Sequence, residues 1–220
     1  MLPAFLATVL FAISVIAANR STLSLGANTA NFGRVLVAVV LLGAWAYGFG
    51  LGLGGGGFGW FFVSGVIGFG LGDMALFHSL PRLGPRLSSL MINCLAAPFG
   101  TVIEWFWLDT RLSVLQILGG LTILAGVGLA LAPERAGSVP RPRRASGILF
   151  GIGAGLGQGL GAVLSRKAYA VAASAGHAVD GGTAAFQRIL GGLLVVAMPF
   201  LWSYLRQRAR SRGEIGRAHV

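Results

Sequence analysis

Apolar residues run along this chain in long, nearly unbroken blocks, and polar residues fall between the blocks or stand singly inside them. Seven blocks predict seven helices, at residues 2–18, 32–49, 58–80, 86–108, 112–132, 147–170 and 183–204. A stretch of about 18 apolar residues is long enough to cross the hydrocarbon core of a bilayer. The blocks lack the in-and-out alternation of a membrane barrel, so the predicted fold is all-α, a polytopic membrane helix bundle. Aromatic residues gather at block ends, as in Trp45 with Tyr47, Trp60 with Phe61 and Phe62, Trp105 with Trp107, and Trp202 with Tyr204. Their amphipathic rings suit the headgroup layer, with the lining of a substrate pocket as the alternative.

The polar residues left inside the blocks are the candidates for chemistry. Asp73 stands in GVIGFGLGDMALFHSL, two thirds of the way along the third block. A carboxylate near a bilayer centre costs about 2.5 to 3.5 kcal/mol on insertion scales, so it must meet protein, water or a partner. Gly70 and Gly72 just before it could open space. It is either a cavity carboxylate for a proton or a cationic substrate group, or a contact of an arginine such as Arg34 or Arg188. Those two arginines either snorkel to the interface or carry counter-charge to a substrate. Glu104 sits beside Trp105 and Trp107, which favours the headgroup layer over transport chemistry. Asn93 and Gln158 either line the pathway or hydrogen-bond between helices. Together Asp73, Arg34, Arg188, Glu104, Asn93 and Gln158 form the candidate substrate or proton pathway. His78, at a block end, is expected to be idle.

Glycine is abundant, with 36 residues, although it weakens helices in water. In GILFGIGAGLGQGLG, Gly151, Gly155 and Gly159 recur every four residues, as do Gly153, Gly157 and Gly161. Each row lies along one helix face, where absent side chains let neighbours approach closely. No strand precedes this string, which excludes a dinucleotide-binding loop. The glycine run at 48–59 is expected to be a flexible connection. The chain also echoes itself. AANRSTL followed by ANFGRVLVAVVLL returns as AVLSRKAY followed by AAFQRILGGLLVV, so Arg20 and Arg34 correspond to Arg166 and Arg188. A five-helix unit therefore starts again near Ser146, and because five is odd the second copy would be inverted, as in carriers that bind substrate between inverted repeats.

Charge changes the picture only by giving it a side. The formal net charge is +11, yet charged residues make up only 10% of the chain, far below the roughly quarter share of soluble domains. The arginines flank the apolar blocks, in the linker 133–145 and the tail 205–212, which is the pattern of cytoplasmic flanks and not of a nucleic-acid-binding face. Cys94 is the only cysteine, so no internal disulfide forms. The N-terminal block lacks a basic leader region and is followed by further blocks, which favours a retained first helix over a cleaved signal. The chain has no HExxH, GxSxG, CxxC or phosphate-loop motif, so no catalytic residue, metal ligand or cofactor is expected.

The stretch 64–131, SGVIGFGLGDMALFHSLPRLGPRLSSLMINCLAAPFGTVIEWFWLDTRLSVLQILGGLTILAGVGLAL, resembles the EamA-type carriers of the drug/metabolite transporter superfamily. It shares their glycine-rich third helix, a proline in the fourth (Pro98), and a fifth helix with Leu112, Gln116, Gly119 and Gly126 or Val127 in the expected places. One departure is the turn LDTRL, which puts Asp109 and Thr110 where the family reads roughly LGERL. The resemblance implies a first EamA-like five-helix repeat at 1–132, a basic linker at 133–145 and the first two helices of a second repeat at 146–212, from a ten-helix architecture. EIGRAHV at the end back-translates into a common sequencing-adapter read-through, so 213–220 are set aside and a C-terminally truncated fragment is expected. The function implied is secondary transport of small organic metabolites or drugs in the inner (plasma) membrane. The expected partners are the bilayer and a small organic solute, with proton coupling and a homodimer allowed and no nucleic acid. The alternatives are a non-transporting membrane assembly protein and an intramembrane enzyme. Charge bias puts the N-terminus outside the cell, and family analogy puts it inside.

Overall fold

The computed structural model describes residues 2–108, 113–130 and 141–217, and every element among them is helical. The LDTRL turn, most of the linker and the last three residues lie outside the described residues. Helix α1 (Leu2–Leu25) meets α2 (Ala27–Gly48) at one residue. Gly26 makes that join because its φ of 82° is open to glycine, while its N–H still closes on the Thr22 carbonyl at 3.0 Å. α1 and α2 thus extend beyond the predicted spans at their facing ends, because the polar residues Thr22 and Ser24 satisfy their hydroxyls on carbonyls of their own helix.

Helix α3 (Phe58–Gly65) passes through a π-helical segment (Val66–Gly72) into α4 (Asp73–Leu108). The apolar run Phe58–Trp107 has 50 residues, which as a straight helix would measure about 75 Å, more than twice the bilayer core. It does not stay straight. Gly84, with φ 77° and ψ 170°, stands before Pro85, which has no N–H to donate and disfavours helical geometry at the residue before it. Across the break the Ser79 and Ser88 hydroxyls meet at 2.9 Å, and the Trp60 and Trp107 rings lie 6.1 Å apart. The chain therefore folds back on itself at Gly84, giving two limbs that match the predicted third and fourth spans.

Helices α5 (Val114–Ala130), α6 (Arg141–Ser174) and α7 (Gly181–Arg217) complete the bundle. Among the described residues, four stretches are long and apolar enough to cross a membrane: Ala27–Gly48, Phe58–Trp107, Arg143–Ser174 and Gly181–Trp202. Val9–Leu25 and Val114–Ala130 are shorter apolar helices. Large apolar side chains point outward, as with Phe106 and Leu115 near 80% exposure, which suits lipid as the surrounding solvent.

The centre of the bundle is α6, and its two glycine rows serve different neighbours. Gly151, Gly155 and Gly159 face Met91, Leu95 and the Ala96–Gly100 turn of the second α4 limb. Gly157 and Gly161 face Gly72 and Gly68 of the π segment, backbone against backbone. α2 and α7 run antiparallel, with Gly43 against Phe186 at one end and Phe32 stacked on Phe200 at 4.1 Å at the other. Val35, Ala46, Ile189 and Val196 are buried between them.

The glycine-rich connection departs from expectation. It is tied down instead of flexible: Gln187 Nε2 donates to the carbonyls of Gly52 and Gly54, both at 2.9 Å, and the Leu51 N–H donates to Thr183 Oγ1 at 3.0 Å. The start of α7 supplies these polar groups, so the loop is ordered by tertiary contacts that its own composition does not reveal.

Candidate functional site

Asp73 opens α4 directly after the π segment, and its N–H reaches back five residues to the Gly68 carbonyl, the bond that defines a π turn. Gly68, Gly70 and Gly72 are buried in that segment, pressed between α6 and α7. A side chain at Gly70 would put its Cβ 2.8 Å from Val195. The wide turn and the missing side chains together set the Asp73 carboxylate in the interior, where the residue is only 4% exposed.

Both carboxylate oxygens are engaged. Oδ2 is ion-paired with Arg34 Nη2 from α2, and Oδ1 accepts from Gln158 Nε2 of α6 at 3.1 Å. Arg34 Nη2 also donates to Asn31 Oδ1 at 3.2 Å, one turn earlier, and the guanidinium lies 5.4 Å over the Phe77 ring. Three helices are thereby joined through one buried carboxylate. Such charge-assisted bonds are about twice as strong as neutral ones, and in a low-dielectric interior each unpaired group would be costly.

This cluster opens on a cavity of about 300 Å³ enclosed by α1, α2, the π segment, both limbs of α4, and α6. Arg34, Asp73, Asn93 and Gln158 line it, with Phe69, Phe77 and Ile92 supplying an apolar wall and Ser14 a hydroxyl. Four of the six residues singled out from the sequence therefore meet in one place. Asn93 is exposed, lines the cavity and donates to the Ser89 carbonyl at 2.8 Å.

The other two stand elsewhere. Arg188, on α7, packs its guanidinium 4.7 Å over the Phe69 ring, on a residue of the cavity wall, and lies within electrostatic reach of Asp73. Its Nε is buried without a hydrogen bond. Glu104 is ion-paired with Arg166 at the far end of α4, beside the Trp60 and Trp107 rings, and does not line the cavity. His78 Nδ1 lies 2.8 Å from the Met74 carbonyl of its own helix and its ring packs against Phe150, outside the cavity.

Sequence reasoning passed over Asn31, Ser14, Phe69 and Phe77. Asn31 carried a readable signal, because it stands three residues before Arg34 and so shares its helix face. A larger groove of about 740 Å³ lies between the second α4 limb and α5, around Pro98, Trp105 and Gly120. Among the described residues it is lined by no ionisable side chain, whereas the smaller cavity is lined by Arg34 and Asp73. No group of three side chains able to hold a metal occurs among the described residues.

Outside the apolar core, Asp180 caps the start of α7. It accepts from Thr183 Oγ1, from the Thr183 and Gly182 N–H groups and from Trp45 Nε1. These donors, the Thr183 hydroxyl first, lower its pKa to about 2.

A model of the EamA-like transporter family matches residues 1–132. No curated protein and no solved structure matches the chain.

Proposed function

The chain belongs to the EamA-like transporter family, a family of membrane transporters, and on that premise we propose that it is a secondary carrier of small organic solutes working by alternating access. The observation that carries this reading is the Arg34, Asp73 and Gln158 cluster facing a cavity inside the bundle. Buried ions are expensive in a membrane protein and typically mark substrate or ion pathways. A purely structural pair would need no cavity beside it.

The proposed organisation is an EamA-like repeat at 1–132, a linker at 133–145 and the opening of an inverted second repeat at 146–212. The antiparallel packing of α2 against α7, which carry the corresponding residues Arg34 and Arg188, supports an inverted relation. Solute would bind between the repeats, and rocking of one against the other would expose the cavity to each side in turn. Asp73 is the one carboxylate that lines the cavity among the described residues, so a proton gradient is the coupling to apply first. The proposed location is the inner (plasma) membrane.

The test is solute flux in proteoliposomes holding the chain, with amino acids, amines, carboxylates, nucleosides and drug-like compounds offered under proton and sodium gradients. Saturable flux that Asp73→Asn lowers by at least about tenfold, the effect of losing roughly 1.4 kcal/mol, is the expected result. Flux of no solute under any gradient overturns the proposal.

A further inference from the structure

The interior around the cavity holds two arginines against one aspartate. Asp73 is spent: Arg34 and Gln158 occupy its two oxygens and its side chain is 6% exposed. Arg34 is not. Its side chain is 37% exposed, its Nε is buried without a partner, and its Nη1 makes no hydrogen bond among the described residues. Arg188 forms no ion pair among the described residues and contributes a second positive charge behind Phe69. The balance is one uncompensated positive charge in a low-dielectric interior, a state that a bound anion relieves.

We propose that the cavity binds a small organic anion, a carboxylate on a compact apolar body. The carboxylate meets Arg34 Nη1, the guanidinium nitrogen that Asp73 and Asn31 leave free, in a charge-assisted hydrogen bond. Ser14 and Asn93 add polar lining, and the apolar body packs against Phe69, Phe77 and Ile92. Asp73 is then a positioning residue that holds Arg34 in place, not the group that receives a cation. Arg188 acts through its field, from behind the Phe69 ring. A cavity of about 300 Å³ admits a ring or a short chain and is too small for a whole phospholipid. This inference deepens the carrier reading and relies on it for movement of the anion, though not for its binding.

The experiment measures unfolding midpoints of the chain in a nonionic detergent at neutral pH with benzoate, hexanoate, benzylamine and benzyl alcohol. Benzoate or hexanoate is expected to raise the midpoint saturably, while the amine and the alcohol of similar size do not. Arg34→Gln should abolish the shift. Arg188→Gln should weaken carboxylate affinity by about threefold to tenfold, as suits a charge acting without contact, and Arg188→Lys should restore it. That last pair keeps the test intact if Arg34→Gln fails to fold. Silence from both carboxylates, an equal response to benzylamine, or an unchanged affinity in Arg188→Gln overturns the proposal. So does stabilisation by phosphatidylglycerol that both arginine variants abolish while carboxylates have no effect. Binding of benzoate without its flux in proteoliposomes keeps the anion site and removes the carrier reading. Flux of an amine with no carboxylate binding does the reverse.

Discussion

Two alanines placed on one row of α6 should have opposite effects. At Gly157 a Cβ would lie 2.7 Å from the Gly72 Cα, 3.1 Å from the Gly72 nitrogen and 3.2 Å from the Ile67 carbonyl oxygen. All three are backbone atoms, so no side-chain rotation relieves the clash and the helices must separate. Overpacking of this kind costs about 1–3 kcal/mol. Four residues earlier, at Gly153, the nearest atom to a new Cβ is the Ala75 Cβ at 3.7 Å, an ordinary contact. There alanine gains up to about 1 kcal/mol of helix preference over glycine. The two variants should therefore differ by about 1–4 kcal/mol, or roughly 2–16 °C in unfolding midpoint for a chain of this length. Thermal unfolding of Gly157→Ala and Gly153→Ala in one detergent reads the difference directly. Equal midpoints, or a lower one for Gly153→Ala, would refute the assignment of Gly157 to the π segment interface. Because Gln158 follows Gly157 and bonds Asp73, Gly157→Ala should also reduce transport more than its stability loss explains.

Further outcomes follow from the same contacts. Asp73→Asn should cost about 2–3 kcal/mol by leaving Arg34 without its counter-charge, and adding Arg34→Gln should recover part of that loss in a chemical-unfolding cycle; strictly additive losses would deny the pairing. Gln187→Leu should free the glycine-rich loop, seen as faster amide exchange across residues 50–56, because both of its bonds to the Gly52 and Gly54 carbonyls vanish. Asp180 has a lowered pKa, so its capping contribution is present above its ordinary value near 3.8 and is lost as pH falls through about 2. Acidification from pH 4 toward pH 2 should therefore change the fluorescence of Trp45, its hydrogen-bond partner, and the change should be absent in Asp180→Asn.

The membrane bundle, the separation of the two α4 limbs and the packing rows of α6 were legible because each rests on local sequence: long apolar blocks, the gap between blocks 58–80 and 86–108, glycine every fourth residue. Arg34 and Arg188 stood out through the echo between the two parts of the chain. Which of them pairs with Asp73 was not legible, since it depends on how far each helix is rotated about its axis, and only contacts such as Gly65 against the Arg188 backbone fix that rotation. The π segment was hidden for a related reason. Val66–Gly72 has the composition of any apolar glycine-rich helix, and its wide turn relates to the pressure of α6 and α7 on either side. Glu104 looked like a pathway carboxylate or a headgroup residue; its pairing with Arg166, 62 residues away in sequence, is a tertiary contact that no local pattern signals.

Accessibility of the cavity from both sides of the membrane tests the central claim most directly, and it needs no knowledge of the solute. Ser14→Cys, placed in a Cys94→Ser background so that no other thiol remains, puts one reporter on the cavity wall. A carrier that alternates should let an impermeant thiol reagent label this site from either face of sealed vesicles, with Asp73→Asn shifting the ratio of the two rates. Labelling from one face only, at a rate that Asp73→Asn leaves unchanged, would contradict alternating access through this cavity.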